Sequence, residues 1–402
     1  MKKKGIALVE RQYLFPFVLI TSLFFLWGFA HAILDVLNKH FQELLTITRT
    51  HSAMIQATMY MGYFIMAIPA GLFINRHGYR KGVVLGLLLY GIGSLLFIPG
   101  QYIASFNMFL FSLFVIGCGL TFLETAANPY VTELGARETA ASRLNFAQSF
   151  NGLGCIFAPI LTGLLLFSDE EKGASGNVAL PYAVMGVIVL LAALAFMRVR
   201  LPEIPHEEEV DSEGHRVGLW AHKLFVFGLV ALFAYEVSEI SINSFFINYV
   251  TEVGWMNARD ASVVLSFGGL GLFMCGRFAG SWIMRYIRAE KVLFVCAIGT
   301  VVSTSLVVLN LGILSLIALF LGYAFEAIMF PTIFALSLRG LGNYTKRASS
   351  YLMMSPIGGA VGPLMMGYVA DQTNMSFSFI VPLLSFIVVL LYAWKVKQRS
   401  FC

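Results

Sequence analysis

Two stretches of this sequence decide its fold. Gly62 to Arg76 reads GYFIMAIPAGLFINR, and Gly271 to Arg285 reads GLFMCGRFAGSWIMR. The opening glycine, the central Ala-Gly pair and the closing arginine stand in the same register in both stretches, and most of the other residues are apolar. Similarity between two such distant segments indicates an internal repeat.

More residues continue the repeat along the chain. At nearly the same offset, Glu124 pairs with Glu326, Pro129 with Pro331, and Arg143 with Arg347. In each half the proline follows the glutamate by five residues. Separate matches at nearly one offset are unlikely to arise by chance, so the chain is predicted to consist of two related halves.

The composition places both halves in a membrane. Of the 402 residues, 58% are hydrophobic and only 12% are charged, and the mean hydropathy is +0.79. A soluble protein of this length would be unable to bury so much apolar surface. Twelve runs are apolar enough to span a bilayer as helices, each needing roughly 20 residues. They begin near Leu14, Ser52, Gly82, Met108, Leu144, Pro181, Leu224, Ala261, Val292, Ile313, Ser349 and Phe377.

A polar stretch separates the sixth predicted span from the seventh. Pro202 to Glu209 reads PEIPHEEE, and its prolines and like charges are typical of a solvated linker. We therefore expect an N-terminal six-helix bundle at 1–200, a cytoplasmic linker at 201–219 and a C-terminal six-helix bundle at 220–402. Six spans per half give both halves one topology. This is the all-α arrangement of major-facilitator transporters, which bind their substrate between the halves near mid-membrane.

The basic residues predict the orientation. Most of the 27 Lys and Arg residues fall in segments that lie on one side of the membrane, and only Lys39, Arg49, Lys172 and Arg259 fall outside on the other. By the positive-inside rule, both termini are predicted to be cytoplasmic. The short ends favour a plasma membrane of the bacterial inner-membrane type.

Charged residues inside the predicted spans are candidates for function, because a charge in the bilayer costs several kcal/mol. The acids are Asp35, Glu124, Glu236, Glu239 and Glu326, and the one base is Arg277. Five acids cannot all pair with one base, so some must be protonated or hydrated in a cavity. Since the residue that matches Arg277 in the first half is apolar, we interpret Arg277 as a packing or helix-end residue.

Neutral polar residues in the spans fit a sugar. Hydroxyl groups are bound by side chains that donate and accept hydrogen bonds in an otherwise apolar cleft. Gln148 and Asn151 are three residues apart and share a helix face. Further candidates are Asn128, Asn243, Asn248 and His31, with Trp27 as a stacking surface and Glu239 and Glu326 as additional ligands. The alternative for the amides is a role as hydrogen bonds between helices.

Other classes of function are less well supported. The histidines are dispersed, the five cysteines show no paired or metal-ligand spacing, and no catalytic cluster is evident, so neither an enzyme, a cofactor nor a metal site is predicted. The net charge of +5 sits at the ends of apolar runs, which argues against nucleic-acid binding. A sodium-coupled or uncoupled carrier, a drug antiporter, an organic-anion carrier and a non-transporting sensor remain alternatives.

Several motifs carry a family resemblance. FLETAANPY at 122–130, RLNFAQSFN at 143–151 and FLWG at 25–28 with Asp35 after it resemble the fourth, fifth and first helices of the fucose–galactose–glucose:proton symporters. The resemblance covers nearly the whole chain. It implies proton-coupled symport of a monosaccharide of the L-fucose, galactose or glucose class. It also implies that Asp35 and Glu124 carry the proton and that Gln148 and Asn151 bind the sugar; we expect a monomer.

Some positions depart from the resemblance. His31 to Leu34 reads HAIL where asparagines are expected, and Glu326 is an added acid, so the resemblance does not identify the sugar. In the loop between spans two and three, Asn75 replaces the acid of the wider superfamily. The rest of that loop is kept, and the resemblance implies that it guards the inner gate with Arg76, Gly78, Arg80 and Lys81.

Overall fold

The computed structural model describes residues 8–45, 49–103, 105–166, 179–199, 201, 218–256 and 258–399, and these parts contain helices but no strand. Within them, side chains are described except at 32, 34–45, 49–57, 158–166, 258, 259 and 262. The predicted linker lies almost entirely outside the described residues.

Six helical segments form the N-terminal half. They are α1 (Leu14–Leu45), α2 (Arg49–His77), α3 (Tyr79–Leu95, extended by Phe97–Ile103), α4 (Phe106–Glu133), α5 (Ala140–Leu166) and α6 (Ala179–Arg198). The α1 helix packs along α5, α2 and α3 pack on α4, and α6 packs on α3.

Six more form the C-terminal half, and four of these are interrupted. They are α7 (Lys223–Glu252), α8 (Ala258–Val264, a π-helical turn at Leu265–Gly269, then Leu270–Ile283), α9 (Ala289–Val308), α10 (Ile313–Glu326, then Met329–Leu338), α11 (Thr345–Leu352, Ser355–Ile357, then Gly358–Gln372) and α12 (Met375–Ser378, then Ile380–Arg399). In the described parts, ten segments are long and apolar enough to cross a membrane. The remaining two, α5 and α8, occupy the positions predicted for the fifth and eighth spans. The predicted all-helical architecture is confirmed.

The outer surface of the bundle is apolar. Leu72, Leu191, Val295, Leu321 and Leu364 are among many large hydrophobic side chains that are about half exposed or more. On a soluble protein such a surface would be an aggregation liability, whereas in a bilayer it contacts lipid. The polar groups are consequently concentrated between the helices.

Glycines allow α1 and α5 to approach each other closely. A Cβ atom on Gly154 would collide with the Phe25 carbonyl oxygen and lie 2.8 Å from the Phe29 nitrogen. A Cβ atom on Gly28 would collide with the Asn151 carbonyl group. Small residues at such crossings let two backbones touch, which is the main source of helix association in lipid. This contact places Trp27 on α1 directly beside Asn151 on α5.

We expect Gly154→Ala to destabilise the protein by about 1–3 kcal/mol, because the obstructing atoms belong to the α1 backbone and cannot rotate away. Thermal unfolding in detergent, followed by fluorescence size-exclusion chromatography, measures the effect. The matched control is Gly271→Ala, since a Cβ atom at this helical glycine meets no heavy atom within 4 Å. Equal melting temperatures for the two variants would contradict the proposed close packing.

Hydrogen bonds between the halves lie toward one side of the bundle. We call this side the basic face; it holds Arg76, Arg80, Arg285, Arg339 and Lys346 at or near helix ends. On α5 and α8, the Ser142 hydroxyl donates to the Ser281 carbonyl oxygen at 2.6 Å, and the Ser281 hydroxyl donates to the Ser142 carbonyl oxygen at 2.9 Å.

The contact of α5 with the C-terminal half continues toward the middle of the bundle, and α2 makes a second contact with that half. Asn145 Nδ2 on α5 donates to Thr332 Oγ1 on α10 at 3.0 Å. A Cβ atom on Gly71 of α2 would collide with Ser350 of α11, so these helices also touch. The two halves are therefore joined at the basic face in this conformation.

We expect Ser142→Ala to weaken that junction, because a serine-to-serine bond exists only while the halves are together. Loss of one hydrogen bond of about 1 kcal/mol shifts a two-state equilibrium about fivefold toward separation of the basic face. Spin-label distances across that face measure the populations. Ser305→Ala is the control, because the Ser305 hydroxyl bonds only within its own helix, to the Val301 carbonyl oxygen. An unchanged distance distribution in Ser142→Ala would contradict this account.

Candidate functional site

Polar side chains from both halves meet near the middle of the bundle. Glu124 lies nine residues before the end of α4 and Glu239 sixteen residues after the start of α7. At 1.5 Å per residue these are depths of about 14 and 24 Å from the basic face. Measured from the other ends of these helices, the depths are about 27 Å for Glu124 and about 20 Å for Glu239, so both carboxyl groups lie well inside the bilayer.

Glu124 is held by a tyrosine. Its side chain is 7% exposed, and the Tyr63 hydroxyl on α2 donates to its Oε1 atom at 2.6 Å. A hydrogen bond to a buried carboxyl group compensates part of the cost of removing it from water. The Tyr63 ring also lies 6.0 Å from the His31 ring of α1.

A proline frees a backbone carbonyl beside Glu124. In an unbroken helix, the Thr125 carbonyl oxygen would accept from the nitrogen of residue 129, but Pro129 has no N–H. The Ser349 hydroxyl on α11 donates to the Thr125 oxygen instead, at 3.1 Å. The freed carbonyl is thus satisfied from the opposite half.

Asn128 and Gln148 form a chain of amides between α4 and α5. Gln148 Nε2 donates to Asn128 Oδ1 at 3.2 Å, and both side chains are buried. Asn128 Nδ2 lies 3.7 Å from the Met353 sulfur on α11. The chain continues into α8, because Arg277 Nη1 donates to the Gln148 carbonyl oxygen at 3.1 Å and lies 3.5 Å from its Oε1 atom.

Asn151 is oriented by α1. With its amide placed to satisfy its neighbours, the side-chain oxygen accepts from Trp27 Nε1 at 2.7 Å and from the Gly28 N–H at 3.2 Å. This leaves the Nδ2 hydrogens of Asn151 as the group that faces other partners. Trp27 is 1% exposed, so the structure does not present its ring as an open stacking surface. His31 Nδ1 lies 3.0 Å from the Trp27 carbonyl oxygen, which assigns the proton to Nδ1 and leaves Nε2 as an acceptor.

A proline also leaves a backbone carbonyl oxygen without its helical donor in α10. Pro331 cannot donate to the Ala327 carbonyl oxygen, and the helix is interrupted between Glu326 and Met329. Arg277 Nε donates to that oxygen at 3.1 Å, and the guanidinium carbon lies 4.3 Å from the centre of the Phe273 ring. Arg277 therefore joins the break in α10 to Gln148 in the opposite half.

Four carboxyl groups lie within electrostatic reach of Arg277. Glu124, Glu236, Glu239 and Glu326 each interact electrostatically with its guanidinium group. Glu326 is 1% exposed, and neither of its oxygens has a hydrogen-bond partner among the described residues. Glu239 is half-buried. Asn243 Oδ1 is also buried without a partner in the described structure.

Other predicted site residues lie elsewhere or outside the described part. The side chain of Asp35 is not among those described. Of the loop residues, Arg76 and Lys81 are exposed, and Gly78 adopts a φ of 85°, which favours glycine. Arg80 donates to the carbonyl oxygens of Phe196 and Met197 at the end of α6. In the described parts, no group of three or more His, Cys, Asp or Glu residues is arranged to hold a metal ion.

Two residues of the site were not recognised from the sequence. Arg277 is not at a helix end, because α8 continues to Ile283, and its buried side chain packs across the two halves, where it donates to the Gln148 carbonyl oxygen. Its signal was present, as it is the only base within a predicted span. Tyr63 gave a weaker signal, since a tyrosine in an apolar stretch is not unusual.

Comparison with known proteins gives the family. Residues 17–351 match the Major Facilitator Superfamily. The chain is 35% identical over 410 residues to the L-fucose-proton symporter of Escherichia coli strain K12, covering 96% of this chain and 93% of that protein. It is 34% identical over 391 residues to the glucose/galactose transporter of Brucella abortus, covering 95% and 94%.

A crystal structure shows the same fold. FucP, a major-facilitator transporter solved in the outward conformation, superposes with a TM-score of 0.85 at 33% identity, covering 96% of this chain and 99% of that one. The relatives are transporters and not enzymes, and the chain is a multi-pass membrane protein of the same kind. It belongs to the major facilitator superfamily and, within it, to the fucose–galactose–glucose:proton symporter family.

Proposed function

We propose that this protein is a proton-coupled symporter of a neutral monosaccharide of the L-fucose, galactose or glucose class. The observation that carries the proposal is a set of polar groups at mid-membrane: Asn128 lies one helical turn from the buried carboxyl group of Glu124 and accepts from Gln148, and Asn151 follows Gln148 by three residues on α5. Relatives that are about one third identical over nearly the whole chain are named for the same class of transport.

The sugar is proposed to bind between α1, α4, α5, α7 and α10. Amides donate and accept hydrogen bonds and so match the two-way bonding of sugar hydroxyls. Gln148 and Asn151 are the principal ligands, and Trp27 positions Asn151 through its Nε1 hydrogen bond. The remaining ligands in this proposal are Asn128, His31, Glu239, Asn243 and Glu326.

The proton is proposed to bind to Asp35 and Glu124. In the outward-open state, Asp35 takes a proton from outside while the sugar enters. The proton and the sugar hydroxyls together satisfy the buried carboxyl groups, which lowers the cost of enclosing them in a low-dielectric site. The two halves, 1–200 and 220–402, then rock about the site and open inward, with 201–219 as the connecting linker.

The basic face is proposed to be cytoplasmic, which places both termini on the cytoplasmic side of a bacterial inner membrane. The inner gate is then the set of contacts that joins the halves at that face. The α2–α3 loop with Arg76, Gly78, Arg80 and Lys81 flanks this gate, and Lys346 of α11 lies over the Tyr79 ring at 4.9 Å. We propose that one chain is sufficient for transport, as a monomer.

Uptake by proteoliposomes tests the function. Radiolabelled L-fucose, galactose, glucose and N-acetylglucosamine are supplied with and without an inward proton gradient, and separately with a sodium gradient. We expect proton-stimulated accumulation of one of these sugars. Stimulation by sodium alone would show that sodium, and not the proton, is the coupling ion. If none of the sugars accumulates under either gradient, the proposal is refuted.

We expect Glu124→Gln and Asp35→Asn each to abolish accumulation against a gradient, because neither neutral side chain can release a proton. Exchange of labelled for unlabelled sugar requires no net proton movement, so it separates loss of coupling from loss of folding. Asp371→Asn is the control, since this carboxylate is exposed near the end of α11. Normal accumulation by Asp35→Asn would show that Asp35 has no coupling role.

We expect Gln148→Ala to raise the KM for the sugar about tenfold or more, because it removes at least one hydrogen bond of about 1.5 kcal/mol and leaves polar groups unpaired. Initial rates of uptake at varied sugar concentration measure the change. Ser305→Ala, whose hydroxyl bonds within α9, serves as the control. A KM unchanged by Gln148→Ala would remove this residue from the binding site.

A further inference from the structure

Glu326 is an anomaly in the C-terminal half. It is 1% exposed at mid-membrane, and both of its oxygens lack a hydrogen-bond partner among the described residues. A buried polar group without a partner costs about 1–3 kcal/mol, and more if it is charged. A carboxyl group in this position therefore requires a proton or an external hydrogen-bond partner that the described residues do not supply.

Arg277, the base in this cluster, does not supply that partner. Arg277 donates to the Ala327 and Gln148 carbonyl oxygens and packs on Phe273, and it forms no ion pair within 4.0 Å in the described structure. The titratable and charged groups that face Glu326 are Tyr235 and Glu239 on α7, Arg277 on α8 and Tyr323 on its own helix. A second carboxyl group among these adds negative charge.

The charge balance indicates what is bound. Glu124, Glu236, Glu239 and Glu326 all interact electrostatically with one guanidinium group, that of Arg277, so full ionisation of the four would leave three negative charges that it does not compensate. Uncompensated buried charges neutralise by taking up protons. Glu124 has the Tyr63 hydroxyl as a partner, whereas Glu326 has none.

We propose that Glu326 is a second proton-binding site, in the C-terminal half, linked through Arg277 to Gln148, so that two protons accompany each sugar. The proposal rests on the proposed function and extends it to the stoichiometry. The second proton is taken up from the outer side and released to the cytoplasm, and no other reactant is needed.

Protonation of Glu326 would act on the contact between the two halves through Arg277. With Glu326 neutral, the guanidinium group stays on the Ala327 and Gln148 carbonyl oxygens and holds α8 against α5. When Glu326 releases its proton, the new carboxylate attracts the guanidinium group, because Ala327 directly follows Glu326 in the chain. Arg277 then leaves Gln148, which loosens the contact between the halves at the proposed sugar ligand.

The ratio of protons to sugar is measured at steady state in proteoliposomes with the membrane potential clamped at zero. For a proton gradient of one pH unit, one proton sustains about tenfold accumulation and two protons sustain about 100-fold. We expect about 100-fold for the wild type and for Asp371→Asn. We expect about tenfold for Glu326→Gln, because the first proton, bound by Asp35 and Glu124 and obligatory for coupling, is still carried. A tenfold ratio in the wild type overturns the second site, as does a 100-fold ratio in Glu326→Gln.

A measurement without a variant covers the case in which Glu326→Gln does not fold. Dicyclohexylcarbodiimide modifies protonated carboxyl groups in apolar surroundings, and peptide mass spectrometry locates the product. We expect wild-type protein to be modified at Glu326 and not at the exposed Asp371; absence of modification at Glu326 overturns the proposal.

Two further results separate this proposal from the proposed function. Uptake of a cationic amino sugar by the wild type, lost in Glu326→Gln at an unchanged proton ratio, would show that Glu326 stays ionised to pair with the ammonium group of the substrate, and would overturn its role as a proton site. A complete absence of proton-driven sugar uptake would refute the symporter itself and the second site with it.

Discussion

A proline without an amide hydrogen shapes the centre of this protein. Pro129 and Pro331 each leave one carbonyl oxygen without its helical partner, directly after a buried glutamate. In a bilayer no water is available to compensate, so another helix must donate. The donors are Ser349 for the Thr125 oxygen and Arg277 for the Ala327 oxygen. These donors bring α11 to α4 and α8 to α10, and the polar site forms around those crossings.

The freed carbonyl oxygen has a different kind of donor in each half, and this difference makes the site asymmetric. In the N-terminal half the donor is a neutral serine from the opposite half, and the adjacent Glu124 accepts from Tyr63. In the C-terminal half the donor is an arginine from the same half, and the adjacent Glu326 accepts from no described residue. A duplicated backbone thus carries one carboxyl group with a partner and one without. This asymmetry is what distinguishes the two halves chemically, although their helices follow the same order.

Much of the fold was predictable because membrane helices are encoded locally. The apolar runs predicted the twelve spans, and the repeat of GYFIMAIPAGLFINR predicted two similar halves; the family comparison and the structure agree with both. The polar residues of the site were predictable as a set, since a polar group in a span is costly. The hydrogen-bond partners of these residues could not be predicted from the sequence. The bonds of Arg277 to Gln148 and of Tyr63 to Glu124 join residues far apart in sequence, and hydropathy does not contain that information.

The position of Gln148 relates sugar binding to the movement of the halves. Its side-chain nitrogen bonds to Asn128 in its own half, whereas its two oxygens face Arg277 in the other half, the side-chain oxygen at a long 3.5 Å. A sugar hydroxyl that donates to this side-chain oxygen would compete with a weak contact and not with a strong one. Binding would then cost little in the amide chain, and it would leave the Arg277 bond to the Gln148 carbonyl oxygen in place. In the proposed mechanism that bond persists while Glu326 is protonated and is lost when Glu326 ionises, so the proton on Glu326 and the sugar favour the same arrangement of Arg277. The proposed coupling of substrate and proton therefore acts through one side chain and requires no long-range pathway through the protein.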